Sequence, residues 1–337
     1  MLKNHSHIKI IAEAGVNHNG SLEKALEMID AASKAQADYI KFQTFRTSDL
    51  VTENCGSASY QKANTGFKTQ AEMLKTLELS YDDFNKINDY CKEKGIGFLS
   101  TPFDSKSLDF LLTLKPDYIK IPSGEITNLP FLRKIAASKF PIIMSTGMCE
   151  ISDIEAALKP FENQRYSQDK ITLLHCTTQY PTPFDDVNLN AMSQLKVKFG
   201  YDVGYSDHTR GLFVPIAAAA AGAKIIEKHF TLSRDLEGPD HNASLIPEEL
   251  AEMVRQIREI EIILGDKEKK ITPSEQTNIN AARRSIVAAR FIKKGEILTE
   301  ENITAKRPGN GVTPMSWDKV IGTKAIHDFF PDEQIEL

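Results

Sequence analysis

Ile8–Ala12 reads IKIIA and runs straight into Glu13; about thirty residues later Tyr39–Phe42 reads YIKF and runs into Gln43. Short runs of the same kind, rich in Ile and Val, recur at Gly97–Leu99, Tyr118–Ile121, Pro141–Met144, Ile171–Leu174, Val203–Tyr205 and Lys224–Glu227. The stretches between them carry apolar residues at helical spacing, as in Leu22, Ala25, Leu26 and Ile29, or Ile87, Tyr90 and Cys91. Ser21 and Ser105 stand where helix caps are needed. Strands alternating with helices make right-handed parallel βαβ units. Eight of them predict an α/β protein built as a (β/α)8 TIM barrel.

Composition agrees. The 337 residues are 41% hydrophobic, 26% charged and 8% aromatic, an ordinary globular balance that excludes disordered, collagen-like and coiled-coil chains. A net charge of -5 offers no basic face for nucleic acid or an anionic membrane. No apolar run approaches the ~18 residues of a membrane span, and the first residues show no signal-peptide pattern. Cys55, Cys91, Cys149 and Cys176 are scattered, as expected of reduced thiols in a cytoplasmic protein.

The rhythm breaks twice. Thr47–Ser80 is an insertion after the second strand, with a helix expected over Thr69–Leu77; at that end of a barrel it would hang over the active site. After Gly265 the alternation stops. The expected domains are a barrel over 1–265, a polar linker over 266–280 and a small β-rich module over 281–337, with strands at Ser285–Ala289 and Ala325–Ile326. A module of roughly 55 residues is marginal alone and needs a surface to pack on.

A TIM barrel builds its active site at the C-terminal strand ends. Those ends carry Glu13; Lys41 and Gln43; Thr101; Lys120, Ser123 and Glu125; Ser145; Thr177, Thr178 and Tyr180; Ser206 and His208; and Glu227 and His229. The two-residue strand period lets Lys41 and Gln43 face one way, as do Ser206 and His208, and Glu227 and His229. Polar residues at the same point of every repeat predict an enzyme. His208 and His229, on the last two strands, suit a divalent metal, with positions left for substrate. Strand-end histidines serve equally as hydrogen-bonded structural residues, so spacing leaves both readings open. Lys41 and Lys120, with Thr101, Ser123, Ser145 and Ser206, form a candidate anion cradle. A Schiff-base lysine, or simple pairing with Glu13 or Glu125, is the alternative. No dinucleotide, P-loop, nucleophile-elbow or EF-hand motif is present.

At these residues the chain resembles the sialic acid synthase family. The matching motifs are IIAEAGVNHNG (Ile10–Gly20), KFQ (Lys41–Gln43), FLSTPFD (Phe98–Asp104), IKIPSGE (Ile119–Glu125) and STGM (Ser145–Met148). They continue with LLHCTTQYPTP (Leu174–Pro183), GYSDHT (Gly204–Thr209), IEKHFT (Ile226–Thr231), GPDH (Gly238–His241) and KRPGNG (Lys306–Gly311). The resemblance implies that the C-terminal module is an antifreeze-like (SAF) domain reaching over the partner's barrel in a domain-swapped homodimer. It implies condensation of phosphoenolpyruvate with an N-acylated hexosamine: N-acetylmannosamine to give N-acetylneuraminate, or a 2,4-diacetamido-2,4,6-trideoxy sugar to give N,N'-diacetyllegionaminate. It further implies a divalent metal, Mn2+ ahead of Mg2+ or Co2+, held by His208, His229 and the sugar's aldehyde oxygen. Phosphoenolpyruvate would be gripped by Lys41, Thr101, Lys120, Ser123, Ser145 and Ser206. The sugar would meet Glu13, Gln43, Tyr180, Asp240 and the other subunit's Arg307, with Glu125 in acid/base work. Thr178, where some members carry asparagine, and Arg283-Arg284, beside a position some fill with phenylalanine, bear on the sugar's substituents.

Overall fold

Alternation along the strands sorts the apolar residues into two layers. A computed structural model describes residues 7–266 and 268–337, so the N-terminal stretch 1–6 lies outside the described residues. The strands are β1 (Lys9–Gly15), β2 (Tyr39–Thr44), β3 (Gly97–Pro102), β4 (Ile119–Ile121), β5 (Ile142–Ser145), β6 (Ile171–His175), β7 (Asp202–Asp207) and β8 (Ile225–His229). Ile10, Ile40, Ile119, Ile142, Leu173 and Ile226 point outward into the main core beneath the helices. Their neighbours Ile11, Leu99, Ile143, Leu174 and Ile225 point inward and form a separate cluster inside the barrel. Both faces are buried, as a parallel sheet requires.

Hydrogen-bonded order is β3-β2-β1-β8-β7-β6-β5-β4, and every pair of neighbours is parallel. β1 lies against β8, so the sheet curls into a nearly closed TIM-like barrel. β3 and β4 pack together without a ladder. β4 is only three residues long and is followed by Pro122, which has no N–H to donate. Inside the barrel Gly204 is a close approach: a Cβ there would lie 2.4 Å from the carbonyl oxygen of Ile225.

Several helices begin on a side chain that caps them. Ser21 accepts from the N–H of Lys24 and starts the helix Leu22–Lys34. Ser105, expected as a cap, is instead the first helical residue. Asp104 caps that helix: its Oδ1 accepts from the N–H groups of Lys106 and Ser107, and its Oδ2 accepts from the N–H of Arg46 and from Ser107 Oγ. The insertion holds three helices, Thr47–Leu50, Ser59–Thr65 and Gln70–Leu77, the last capped by Thr69. Met73 and Leu77 pack on Val16 and Phe45, just beyond β1 and β2, which seats the insertion at the C-terminal end of the barrel.

The chain divides after Gly265 into two units, Met1–Gly265 and Asp266–Leu337. The second is built on the antiparallel pair β9 (Ser285–Ala288) and β10 (Ile303–Lys306), over Ile286, Ala288, Ile292, Leu298, Val320 and Phe329. The segment 266–280 is not a featureless linker. It contains the short helix Pro273–Gln276, capped by Thr272, and the start of Ile279–Ala282. The strand expected at Ala325–Ile326 is not formed: Ala325 exchanges backbone hydrogen bonds with Gly295 and Glu296, beside an isolated bridge between Ile297 and Lys324. Among the described residues no helix is long and apolar enough to cross a membrane.

Candidate active site

The inward side chains change character at one level of the barrel. Below it they are the apolar cluster; one step further along each strand they are Glu13, Lys41, Thr101, Lys120, Ser145, Ser206 and Glu227, all buried. With Gln43, Phe103, Pro122, Ser123, Gly124, Cys176, Thr178, Tyr180, His208 and His229 they line a cavity of about 180 Å³ at the C-terminal strand ends. The strand period accounts for most of the inner ring: Glu13 lies two residues beyond Ile11, Thr101 beyond Leu99, Ser145 beyond Ile143 and Glu227 beyond Ile225, while Ser206 follows Gly204.

Charge is arranged as a buried quartet. Lys41 Nζ lies 2.6 Å from Glu13 Oε2 and 3.6 Å from Glu227 Oε2, and it donates to Thr101 Oγ1 at 3.1 Å. Lys120 Nζ lies 3.5 Å from Glu227 Oε1 and donates to Ser145 Oγ at 2.7 Å. Glu227 also accepts from Ser206 Oγ at 3.0 Å. Burial works to raise the Glu227 pKa, but the ammonium groups of Lys120 and Lys41 outweigh it and hold the carboxylate ionised, well below the usual range. For Glu13 the balance reverses. Burial and the neighbouring Glu227 charge push its pKa up against the pull of Lys41. The quartet therefore leans toward positive whenever Glu13 carries a proton, and an anion entering the cavity finds two lysines and four hydroxyl groups around it. Lys41 is held charged by its two carboxylates, which opposes use of its amine as a nucleophile.

Ser123 completes this wall. Its Oγ accepts from the N–H of Gly147 at 3.0 Å and meets Cys176 Sγ at 3.3 Å. Gly147 is required there, since a Cβ would stand 2.9 Å from that hydroxyl. On the other side Gln43 Nε2 donates to Glu13 Oε1 at 3.3 Å. β1 carries a register irregularity between Glu13 and Gly15, and Gly15 sits at φ +54°, so the chain turns away as soon as Glu13 has been delivered.

His208 and His229 meet at the rim, ring centroids 5.5 Å apart, with the Tyr180 ring 4.2 Å from His208. Burial lowers both imidazole pKa values, and at His229 the adjacent His208 lowers it further, so both rings are neutral. His208 Nδ1 bonds the carbonyl of Thr177 at 2.7 Å, leaving Nε2 for another partner. His229 Nδ1 is buried and has no hydrogen-bond partner. Neutral imidazoles, one oriented through its second nitrogen and one with an unsatisfied nitrogen, fit a divalent cation that takes its other ligands from substrate and water. No third His, Cys, Asp or Glu joins them as a metal-binding group among the described residues.

Two barrel residues singled out in the sequence, Glu125 and Asp240, are not among those that line this cavity. Glu125 lies on the 3-10 turn Ser123–Glu125, half-buried, its Oε2 accepting from Asn128 Nδ2 at 2.7 Å. Asp240 is buried in the loop after β8, where burial raises its pKa to about 6. Arg307 belongs to the C-terminal unit and donates from Nε to the carbonyl of Ala282. Conversely, the sequence reading assigned no role to Glu227 or Cys176, while Thr178, tied there to the sugar's substituents, does line the cavity. Glu227 carried a usable signal, because it shares a strand face with His229; Cys176, two residues past Leu174, obeys the same rule.

A model of the NeuB family matches residues 28–269, and an SAF domain model matches residues 283–336. Over 327 residues the chain is 48% identical to an N,N'-diacetyllegionaminic acid synthase of Campylobacter jejuni, covering 97% of this chain and 98% of that one. It is 46% identical over 319 residues to an N,N'-diacetyllegionaminic acid synthase of Legionella pneumophila, covering 94% and 89%. The crystal structure of an N-acetylneuraminic acid (sialic acid) synthetase from Leptospira borgpetersenii matches with a TM-score of 0.73 at 36% identity, over 83% of this chain and 94% of that one. Barrel, cavity and sequence agree: the chain belongs to the NeuB family and carries an SAF domain at its C-terminal end.

Proposed function

We propose that this enzyme condenses phosphoenolpyruvate with an N-acylated aminosugar and water to give a nonulosonic acid and phosphate. The observation that carries the reading is the cavity in which Lys41, Lys120 and four hydroxyl groups stand beside a neutral histidine pair. C3 of phosphoenolpyruvate forms the new C–C bond to the sugar's aldehyde carbon, water adds at C2, and the C–O bond to phosphate breaks. Lys41, Lys120, Thr101, Ser123, Ser145 and Ser206 hold the carboxylate and phosphate groups, a preorganised electrostatic role that needs no covalent intermediate. Glu13, Gln43 and Tyr180 face the space left for the sugar. Glu125, its Oε2 accepting from Asn128 Nδ2, lies outside the lining of this cavity. Glu13, already in the cavity and pushed toward its protonated form, is the carboxyl placed for proton transfer. His208 and His229 would hold the divalent ion, Mn2+ ahead of Mg2+ or Co2+; when bound, the ion supplies Lewis-acid polarisation of the aldehyde oxygen. In the homodimer implied by the family, Arg307 and Asp240 complete the sugar site.

For the acceptor we infer a 2,4-diacetamido-2,4,6-trideoxymannose, giving N,N'-diacetyllegionaminate. The support is the identity to relatives of that name, 48% and 46%. N-acetylmannosamine is the second reading, supported by the likeness to a sialic acid synthetase structure. The test is phosphate release from phosphoenolpyruvate by chelator-stripped protein, with and without Mn2+, on both sugars in parallel. Metal-dependent release with the diacetamido sugar preferred is the expected result. Preference for N-acetylmannosamine would change the product, and release unaffected by chelation would remove the metal. No release with either sugar would overturn the proposed reaction.

A further inference from the structure

Directly behind the histidine pair lies a second, fully buried charge pair that the reaction does not use. Asp207 and Lys228 are ladder partners on β7 and β8, both with 0% exposure, and Lys228 Nζ lies 2.6 Å from Asp207 Oδ2. Each immediately precedes a histidine: Asp207 is next to His208, Lys228 next to His229. Because strand side chains alternate, the pair points outward while Ser206, Glu227 and His229 point into the cavity.

The hold on the two histidines is unequal. His229 is the last residue of β8, paired with Glu13 on β1, and its carbonyl accepts from the N–H of Leu245. His208 lies one residue past the end of β7, where the ladder has stopped. Its carbonyl accepts from the N–H of Thr182, and its Nδ1 meets the carbonyl of Thr177, both in the loop after β6. Toward β8, the chain on its far side is tied by the buried pair. Asp207 Oδ1 accepts from the N–H of Thr209 at 3.1 Å, Asp207 Oδ2 accepts from Thr209 Oγ1 at 3.0 Å, and Lys228 Nζ donates to the carbonyl of Thr209. His208 is therefore bracketed: the residues before and after it are knotted to one another and to the residue that precedes His229.

We propose that Asp207, Lys228 and Thr209 are positioning residues that set where the His208 imidazole stands relative to His229, and so set the affinity of the pair for a divalent cation. This rests on the metal reading above. The barrel itself does not need a charge here. A buried ion pair is poor value for stability, since an apolar pair of similar volume holds a fold as well or better. What an apolar pair lacks is the set of directed bonds that closes the backbone around His208. Groups that hydrogen-bond a ligating imidazole change metal affinity by about 10- to 100-fold when removed; for His208 that group is the Thr177 carbonyl, and the knot acts through the backbone that carries the ring.

The test uses the full-length protein and the double substitution Asp207→Asn with Lys228→Met, which removes both charges together so that neither is left buried alone. Three quantities are read: melting temperature, Mn2+ binding followed by EPR without substrates, and the imidazole 15N signals of His208. The expected result is a folded variant whose His208 signals move and whose Mn2+ affinity falls about tenfold or more. A folded variant with unchanged His208 signals and unchanged Mn2+ affinity overturns the proposal. If the double variant fails to fold, Thr209→Val, which removes one hydroxyl and leaves the ion pair in place, decides in the same way: moved His208 signals support the proposal and unmoved ones refute it. Should the unsubstituted protein bind no Mn2+, the metal reading falls, and the His208 signals alone judge the positioning claim.

Discussion

Lys41 and Glu13 face each other across the first two barrel strands, Nζ to Oε2 2.6 Å, both almost wholly cut off from water. Such a contact needs further partners to repay the cost of burying two charges. The partners are Glu227 and Lys120, and with them the contact becomes the floor of the reaction cavity.

Glu227 is the carboxylate shared by both lysines, so Glu227→Gln leaves two buried ammonium groups with only Glu13 to oppose them. Breaking one side of a buried pairing costs about 3–5 kcal/mol, and the melting temperature should drop accordingly. An anion can take the missing place. Inorganic phosphate should therefore raise the melting temperature of the variant more than that of the parent. Equal shifts in a thermal melt series would show that Glu227 does not compete with a bound anion.

Lys120 touches both Glu227 and Ser145 and has no other acid within ion-pair reach among the described residues. Lys120→Met should weaken phosphoenolpyruvate binding and transition-state charge stabilisation together. A loss of roughly 10²–10³ in kcat/KM for phosphoenolpyruvate is expected, as for removal of one preorganised donor. Steady-state kinetics at saturating sugar would check it; a change confined to the sugar's KM would place Lys120 in the wrong subsite.

His229 Nδ1 makes no hydrogen bond inside the protein, so His229→Ala breaks no bond at that nitrogen, although it empties a buried site beside Tyr180 and His208. Circular dichroism should stay that of the parent and the melting temperature should fall only partway, while phosphate release in the presence of Mn2+ is abolished. Metal-dependent turnover persisting in the folded variant would exclude this imidazole from the metal site.

Asp240 is a pH probe. Burial raises its pKa from 3.8 to about 6, so between those values the folded chain keeps a proton that the unfolded chain has released. Its contribution is therefore fully present below pH ~4 and is lost as pH rises through about 6. His18 and His241, both lowered to about 4 by burial, work in the opposite direction, so the parent's own pH profile does not isolate Asp240. The comparison with Asp240→Asn does. The two proteins should match in stability near pH 4, and the variant should be the more stable at pH 7.5, by at most about 3 kcal/mol. Denaturant melts at both pH values measure the gap; an equal gap at each would mean that Asp240 titrates normally.

Most of the barrel could be read from the chain because its determinants are local. Each strand announces itself by a run of branched apolar residues, and each strand end by a switch to polar ones two residues on, as from Ile11 to Glu13 or from Ile143 to Ser145. Period-two geometry then puts those polar residues on one inner surface without any knowledge of distant partners. The same locality explains the errors. Ser105 and Asp104 are adjacent and both can cap a helix, and only the path of the backbone chooses between them. The pair of strands in the C-terminal unit depends on a partner, Ile303–Lys306, whose pattern ITAK is too short and mixed to declare itself.

The sequence by itself therefore determined the barrel, the ring of polar strand ends, and the lysines and histidines among them, because side-chain direction on a strand is a matter of counting. Only the tertiary structure decided how those groups divide the charge. That Glu227 is held ionised between two lysines, that Glu13 is pushed toward its proton, and that Glu125 is tied to Asn128 outside the cavity all depend on distances of a few ångströms. Away from water, ion-pair energies and pKa values turn on such distances. Those distances are set by strands and loops far apart in the chain, and no local pattern encodes them.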